Sequence, residues 1–171
     1  TLERIRELKK GQHPFVAVVS CSDSRVPAEL VFDQGLGDIF SIRTAGNVIG
    51  DYELGSIEYA VEHLDCKLIV IMGHKDCGAI KAFISSKGHY DHPDHIKNII
   101  NYIERENEEK SLKVTHNLTV DKAIDANIAH GVTFLKTAKP ILKERFDHNK
   151  ITIIGALYDI ESGKVTFEKI K

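Results

Sequence analysis

The sequence predicts an α/β fold: a mainly parallel sheet of four strands plus an antiparallel fifth, with helices on both faces. Three observations carry this. The runs at 15–19, 68–72 and 151–154 are continuously apolar, as strands buried on both faces are. Amphipathic helical stretches separate the runs, and strands alternating with helices imply parallel pairing through crossovers. Last, the segment DIESGK at 159–164 is a turn between the final two runs, so the fifth strand returns antiparallel.

In chain order, residues 1–11 read as a helix entering the domain, the remainder of a shortened N-terminal arm. Strands follow at 15–19 and 39–42. Leu54, Ile57, Val61 and Leu64 then share one helical face. The third strand is 68–72, and a turn at 73–77 opens the next helix. Residues 85–95 are the most loop-like part of the chain. Ile96, Ile99, Ile100 and Ile103 mark one further helix, and Val120, Ile124, Ile128, Val132 and Leu135 another. Strands at 151–154 and 165–167 close the fold. Without repeats, low-complexity tracts or linkers, residues 1–171 are expected to form a single domain.

A formal net charge of -2 and the lack of a basic tract argue against nucleic acid as a partner. No apolar run approaches the roughly 20 residues that span a bilayer. The expected compartment is the cytoplasm. A periplasmic or secreted location is the alternative, because the chain starts at Thr1 rather than at a methionine. Three cysteines do not make a disulfide framework, which leaves metal ligation, a reactive thiol or burial.

In open α/β sheets, sites gather at the carboxyl ends of strands. Two strand exits here carry metal-type side chains: SCSDSR after the first strand and GHKDCGAI after the third. His74 and Cys77 have two residues between them, so both can face one ion from a turn entering a helix. Cys21 supplies a third ligand if the two strands are neighbours. Two thiolates and an imidazole suit zinc, and an open fourth position marks a catalytic rather than a structural site. His63 and Cys66 repeat the spacing, but they fall at the opposite edge of the sheet, where Cys66 reads as a small buried residue. Asp23 is within reach of the fourth position, and Arg25, paired to it as a fork, would hold it off the metal. Gly78, at a helix start, offers a bare backbone N–H to a developing anion. Asp76 reads as the cap of that helix.

These residues resemble the β-class carbonic anhydrases. The likeness rests on CSDSR and HKDCG and continues through FDQGLGDIFSIRTAGNVI, GSIEYAV and GALYDIESG. It is weakest over 87–116. The resemblance implies a lyase (carbonate dehydratase) that interconverts carbon dioxide and bicarbonate. It implies Zn2+ on Cys21, His74 and Cys77, an Asp23–Arg25 dyad, and self-association as a homodimer or homotetramer. It also places Gln12, Phe40 and Tyr59 in the substrate pocket, the aromatic residues reaching it from across a dimer interface. Some relatives carry a regulatory bicarbonate pocket with a Trp and a Gly, positions that match Val18 and Ser20 here, and with a Tyr that Tyr158 matches.

Three alternatives are open at this stage. The same zinc site serves carbon disulfide or carbonyl sulfide hydrolases. A structural zinc or thiol-redox module would use the same thiols without an Asp–Arg dyad. His89, His92 and His95 could form a separate metal or proton-relay site, although Pro93 and the polar composition favour a solvated loop.

Overall fold

A computed structural model of the chain describes residues 1–86, 94–105 and 119–168. Five strands, β1 (Val16–Cys21), β2 (Ile39–Thr44), β3 (Leu68–His74), β4 (Thr152–Asp159) and β5 (Lys164–Phe167), form one sheet in the order β2-β1-β3-β4-β5. The first four are mutually parallel and β5 runs antiparallel to β4. The helices are α1 (Leu2–Leu8), α2 (Ala28–Val31), α3 (Asp51–His63), α4 (Gly78–Ser85), α5 (Ile96–Arg105), α6 (Val120–Thr137) and α7 (Ile141–Asp147). A 3₁₀ turn, Ala45–Asn47, follows β2.

The strands outrun their apolar cores. β1 continues through Ser20 and Cys21, β3 through Gly73 and His74, and β4 to Tyr158 and Asp159. Ladder pairing, such as Cys21 opposite Thr44 and His74 opposite Tyr158, holds these exits although their side chains are not hydrophobic. The short helices α2 and α7 are absent from the sequence expectation, because four and seven residues are too few to show a helical period. His89 and His92 lie outside the described residues.

Alternation along β1 divides the core. Ala17, Val19 and Cys21 face a large cluster that includes Ile57, Ile80, Ile124 and Ile128 from α3, α4 and α6. Val16 and Val18 face a smaller one, closed by Val26, Ala28 of α2 and flanking segments. Helices thus surround the sheet unequally, with the bulk of them on one side.

Glycine sets how closely α6 lies on that side. A Cβ at Gly73 would come within 2.7 Å of Ile128 Cδ1 and Cγ1. No methyl fits there unless α6 retreats, and the neighbouring residue is His74. Gly73→Ala is therefore expected to cost about 1–3 kcal/mol, the usual scale for overpacking a tight core. Urea denaturation measures this; an unchanged midpoint would show that the interface is slack.

Candidate metal centre

The strand order makes β1 and β3 neighbours, so their exits meet. Cys21 ends β1, His74 ends β3, and Cys77 sits at the N-cap of α4. One ligand atom from each lies within 4.8 Å of the others. All three are buried, at 5%, 0% and 2% exposure respectively. The His74 Nδ1 is 2.9 Å from the Lys75 carbonyl. A carbonyl only accepts, so Nδ1 carries the proton and Nε2 keeps a lone pair. Among the described residues, that Nε2 is buried without a hydrogen-bond partner. A buried lone pair beside two sulfurs is costly unless a cation takes it up, and the donor set of two Sγ and one imidazole nitrogen fits zinc.

The electrostatics of the cluster are uneven. Cys77, within 4.8 Å of it, pulls the Cys21 thiol well below its usual range, against burial. The amides of Asp23 and Gly46 act in the same direction. Those amides point at Cys21 Sγ from 3.4 Å and 3.3 Å. Cys77 moves the opposite way, pushed up first by the Cys21 sulfur and then by burial. Burial works against a charged His74, but the Cys21 sulfur outweighs it and the imidazole is raised.

Asp23 is not among the three grouped donors. Arg25 grips its carboxylate as a fork, Nε to Oδ1 at 3.0 Å and Nη2 to Oδ2 at 2.7 Å, with the Arg25 amide adding a third bond to Oδ1 at 2.9 Å. Arg25 thereby holds the Asp23 carboxyl far below the usual carboxylate range. Asp76 does not cap α4. Cys77 occupies the N-cap, and Asp76, in the left-handed region at φ 64, pairs with Lys81 and lies 3.7 Å from Arg25 Nη1. The Asx cap loses because the carboxylate finds two cations instead.

Arg43 carries a role that sequence reading missed. From β2 it donates to the Cys21 carbonyl at 3.1 Å and to the Asp23 carbonyl at 2.7 Å, clamping the loop that presents both residues. Gly78 opens α4 directly after Cys77, and a Cβ there would meet nothing within 4 Å among the described residues; its amide is one of the first-turn N–H groups that have no partner within the helix.

Gln12, Phe40 and Tyr59 do not line this cluster. Phe40 pairs with Ala17 while Thr44 pairs with Cys21, a four-residue separation of about 13 Å along the sheet. Phe40 and Tyr59 instead meet each other, with ring centres 6.2 Å apart, and Tyr59 meets His63 at 5.0 Å. Gln12 precedes β1, at the opposite end from Cys21. The second His-x-x-Cys pair is likewise remote: His63 ends α3, and Cys66 donates its thiol to the Pro14 carbonyl at 3.1 Å. Burial raises the Cys66 thiol, as expected of an inert buried cysteine. At the matched regulatory positions, Val18 and Ser20 are buried, and among the described residues the Ser20 hydroxyl has no hydrogen-bond partner.

Fold and site together define an α/β protein with a two-sulfur, one-nitrogen metal-type cluster at adjacent parallel strand exits. Comparison with known proteins narrows this. The carbonic anhydrase family profile matches residues 16–165. Carbonic anhydrase 2 of Mycobacterium tuberculosis is 36% identical over 159 residues, covering 92% of this chain and 75% of that protein. The structure of the β-carbonic anhydrase CcaA superimposes with a TM-score of 0.86 at 27% identity, covering 98% of this chain and 85% of the other. A tetrameric β-carbonic anhydrase of Sordaria macrospora shares the fold, with a TM-score of 0.82 at 24% identity over 99% of this chain and 88% of the other. The chain belongs to the β-class carbonic anhydrases, a family of carbonate dehydratase lyases.

Proposed function

We infer that the chain holds one zinc on Cys21, His74 and Cys77 and reversibly hydrates carbon dioxide to bicarbonate and a proton. The observation that carries this is the buried, unpartnered His74 Nε2 beside two cysteine sulfurs, next to a carboxylate held aside by arginine. Zinc in such a site supplies hydroxide at neutral pH, lowering the pKa of water from 15.7 to about 7.

The chain's own groups do the rest. Arg43 and the Arg25 fork fix Asp23 two residues beyond a ligand, where its carboxylate can accept a hydrogen bond from the nucleophile and orient it. Because Arg25 keeps it ionised, Asp23 stays an acceptor through the neutral range. The Gly78 amide donates to the oxygen on which negative charge grows. A structural zinc module would need no such dyad.

Stopped-flow measurement on the zinc-loaded protein tests the reading, with carbon dioxide, carbonyl sulfide and carbon disulfide compared. Carbon dioxide hydration should dominate. Hydrolysis of either sulfur substrate without carbon dioxide hydration would assign the site to the sulfur chemistry.

Metal uptake should depend on pH. Cys77 must lose a proton that Cys21 and burial hold on it, so binding zinc at neutral pH releases that proton. Affinity is expected to rise with pH, by about tenfold per unit for each proton released. A competition titration at several pH values would read this; a flat profile would mean that Cys77 is already ionised or is not a ligand.

The distance of Gln12, Phe40 and Tyr59 from this chain's own cluster supports self-association. Tyr59, 48% exposed, and Phe40 lie at the β2 edge of the sheet, where an unpaired strand can meet a second copy. Sedimentation at micromolar concentration should give a dimer or larger. A monomer with full activity would remove the shared pocket.

A further inference from the structure

We propose that Asn127, on a helix that supplies none of the cluster's donor atoms, is a positioning residue for the metal centre: it fixes Gly46 so that the Gly46 amide stays aimed at the Cys21 sulfur. The proposal rests on the reading of Cys21, His74 and Cys77 as metal ligands.

The residues form a short chain of contacts. Asn127 is buried at 3% exposure, and its Nδ2 donates to the Gly46 carbonyl at 2.9 Å. Gly46 in turn donates its N–H to Cys21 Sγ at 3.3 Å. Two features make this arrangement specific. Gly46 adopts φ 69, which favours glycine, and a Cβ there would stand 3.0 Å from Ala79 Cβ, so the turn is wedged against the start of α4.

Elementary chemistry gives the consequence. An N–H aimed at a thiolate draws charge from the sulfur and fixes the direction of its lone pairs. Groups that orient ligands in this way typically change metal affinity or activity by 10–100-fold when removed. Without the Asn127 donor, the Gly46 carbonyl is a buried acceptor lacking that bond. The Gly46–Asn47 peptide then has reason to turn, and because it shares the Gly46 Cα with the Ala45–Gly46 peptide, the torsions of Gly46 shift and its N–H loses its aim at the sulfur. Cys21 becomes a more electron-rich and less directed ligand.

Cobalt substitution provides a readout besides activity. Asn127→Leu keeps the volume and removes the donor, and Asn127→Asp keeps the shape but presents an acceptor to the carbonyl. Both should move the cobalt–thiolate charge-transfer band to lower energy and weaken cobalt binding by about 10–100-fold. Ile128→Val, a packing change one residue away on the same helix, should leave the band where it is. A band unmoved in either folded Asn127 variant, or moved equally by Ile128→Val, overturns the proposal while leaving the metal site intact. No cobalt–thiolate band in the parent protein would instead overturn the metal reading and this inference with it.

Discussion

Arg25→Ala should lose hydration activity by about a hundredfold or more while the protein keeps its metal. The effect of removing an orienting group is usually 10–100-fold, and here the group does two jobs. Arg25 makes both side-chain bonds of the fork on Asp23, and it also sits between Asp23 and Asp76. Without it, Asp23 is a free carboxylate two residues from a ligand and can close the fourth position itself. Zinc content should stay near about one per chain, because the three proposed ligands are untouched. Asp23→Asn separates the two roles: it is a poorer ligand and a poorer proton acceptor, so activity should fall without closure. Cobalt spectra distinguish a carboxylate-closed site from a water-bound one. An Arg25→Ala protein that remains water-bound and nearly as active as the parent would reduce the arginine to a surface charge.

The pH behaviour follows with a definite sign. Arg25 depresses the folded-state pKa of Asp23 below its unfolded value of about 3.9. Its contribution to stability is therefore complete above that value and is lost as pH falls below it, through the folded-state pKa. Any change in activity between about pH 5 and 9 must come from another group.

The second large effect separates the two His-x-x-Cys pairs. Cys77→Ser removes one of three convergent donors and should lose most of the zinc. Cys66→Ser removes a thiol that donates to Pro14 at the other end of the sheet and should keep it. Metal analysis of the purified variants reads both. Equal losses would mean that the choice made by topology was wrong.

That choice shows how far the sequence could be read. Continuous apolar runs located the cores of β1, β3 and β4, and the rule for strand exits then singled out Cys21, His74 and Cys77 over the second His-x-x-Cys pair. In the structure these three side chains lie together as a group that could hold a metal. Local spacing also revealed the Asp23–Arg25 pair, because a fork between residues two apart needs no tertiary information. What stayed hidden depends on distant partners. Arg43 holds carbonyls 22 and 20 residues away, and Asn127 holds one 81 residues away, so nothing near either residue in the sequence signals the contact. Asp76 misled for the same reason: its position beside a helix start suggests a cap, while its charge is taken by Lys81 and Arg25. The strand ends were missed because polar exits pair in the ladder without contributing hydrophobic side chains.

The central claim is that one zinc, held by this cluster, performs the hydration. Titrating zinc into metal-free protein while following carbon dioxide hydration by stopped flow tests it most directly. The account predicts a rate near background without metal, a linear rise, and a break at about one equivalent per chain, the stoichiometry of a three-ligand site. Full activity in the metal-free protein, or none at saturating zinc, would contradict it.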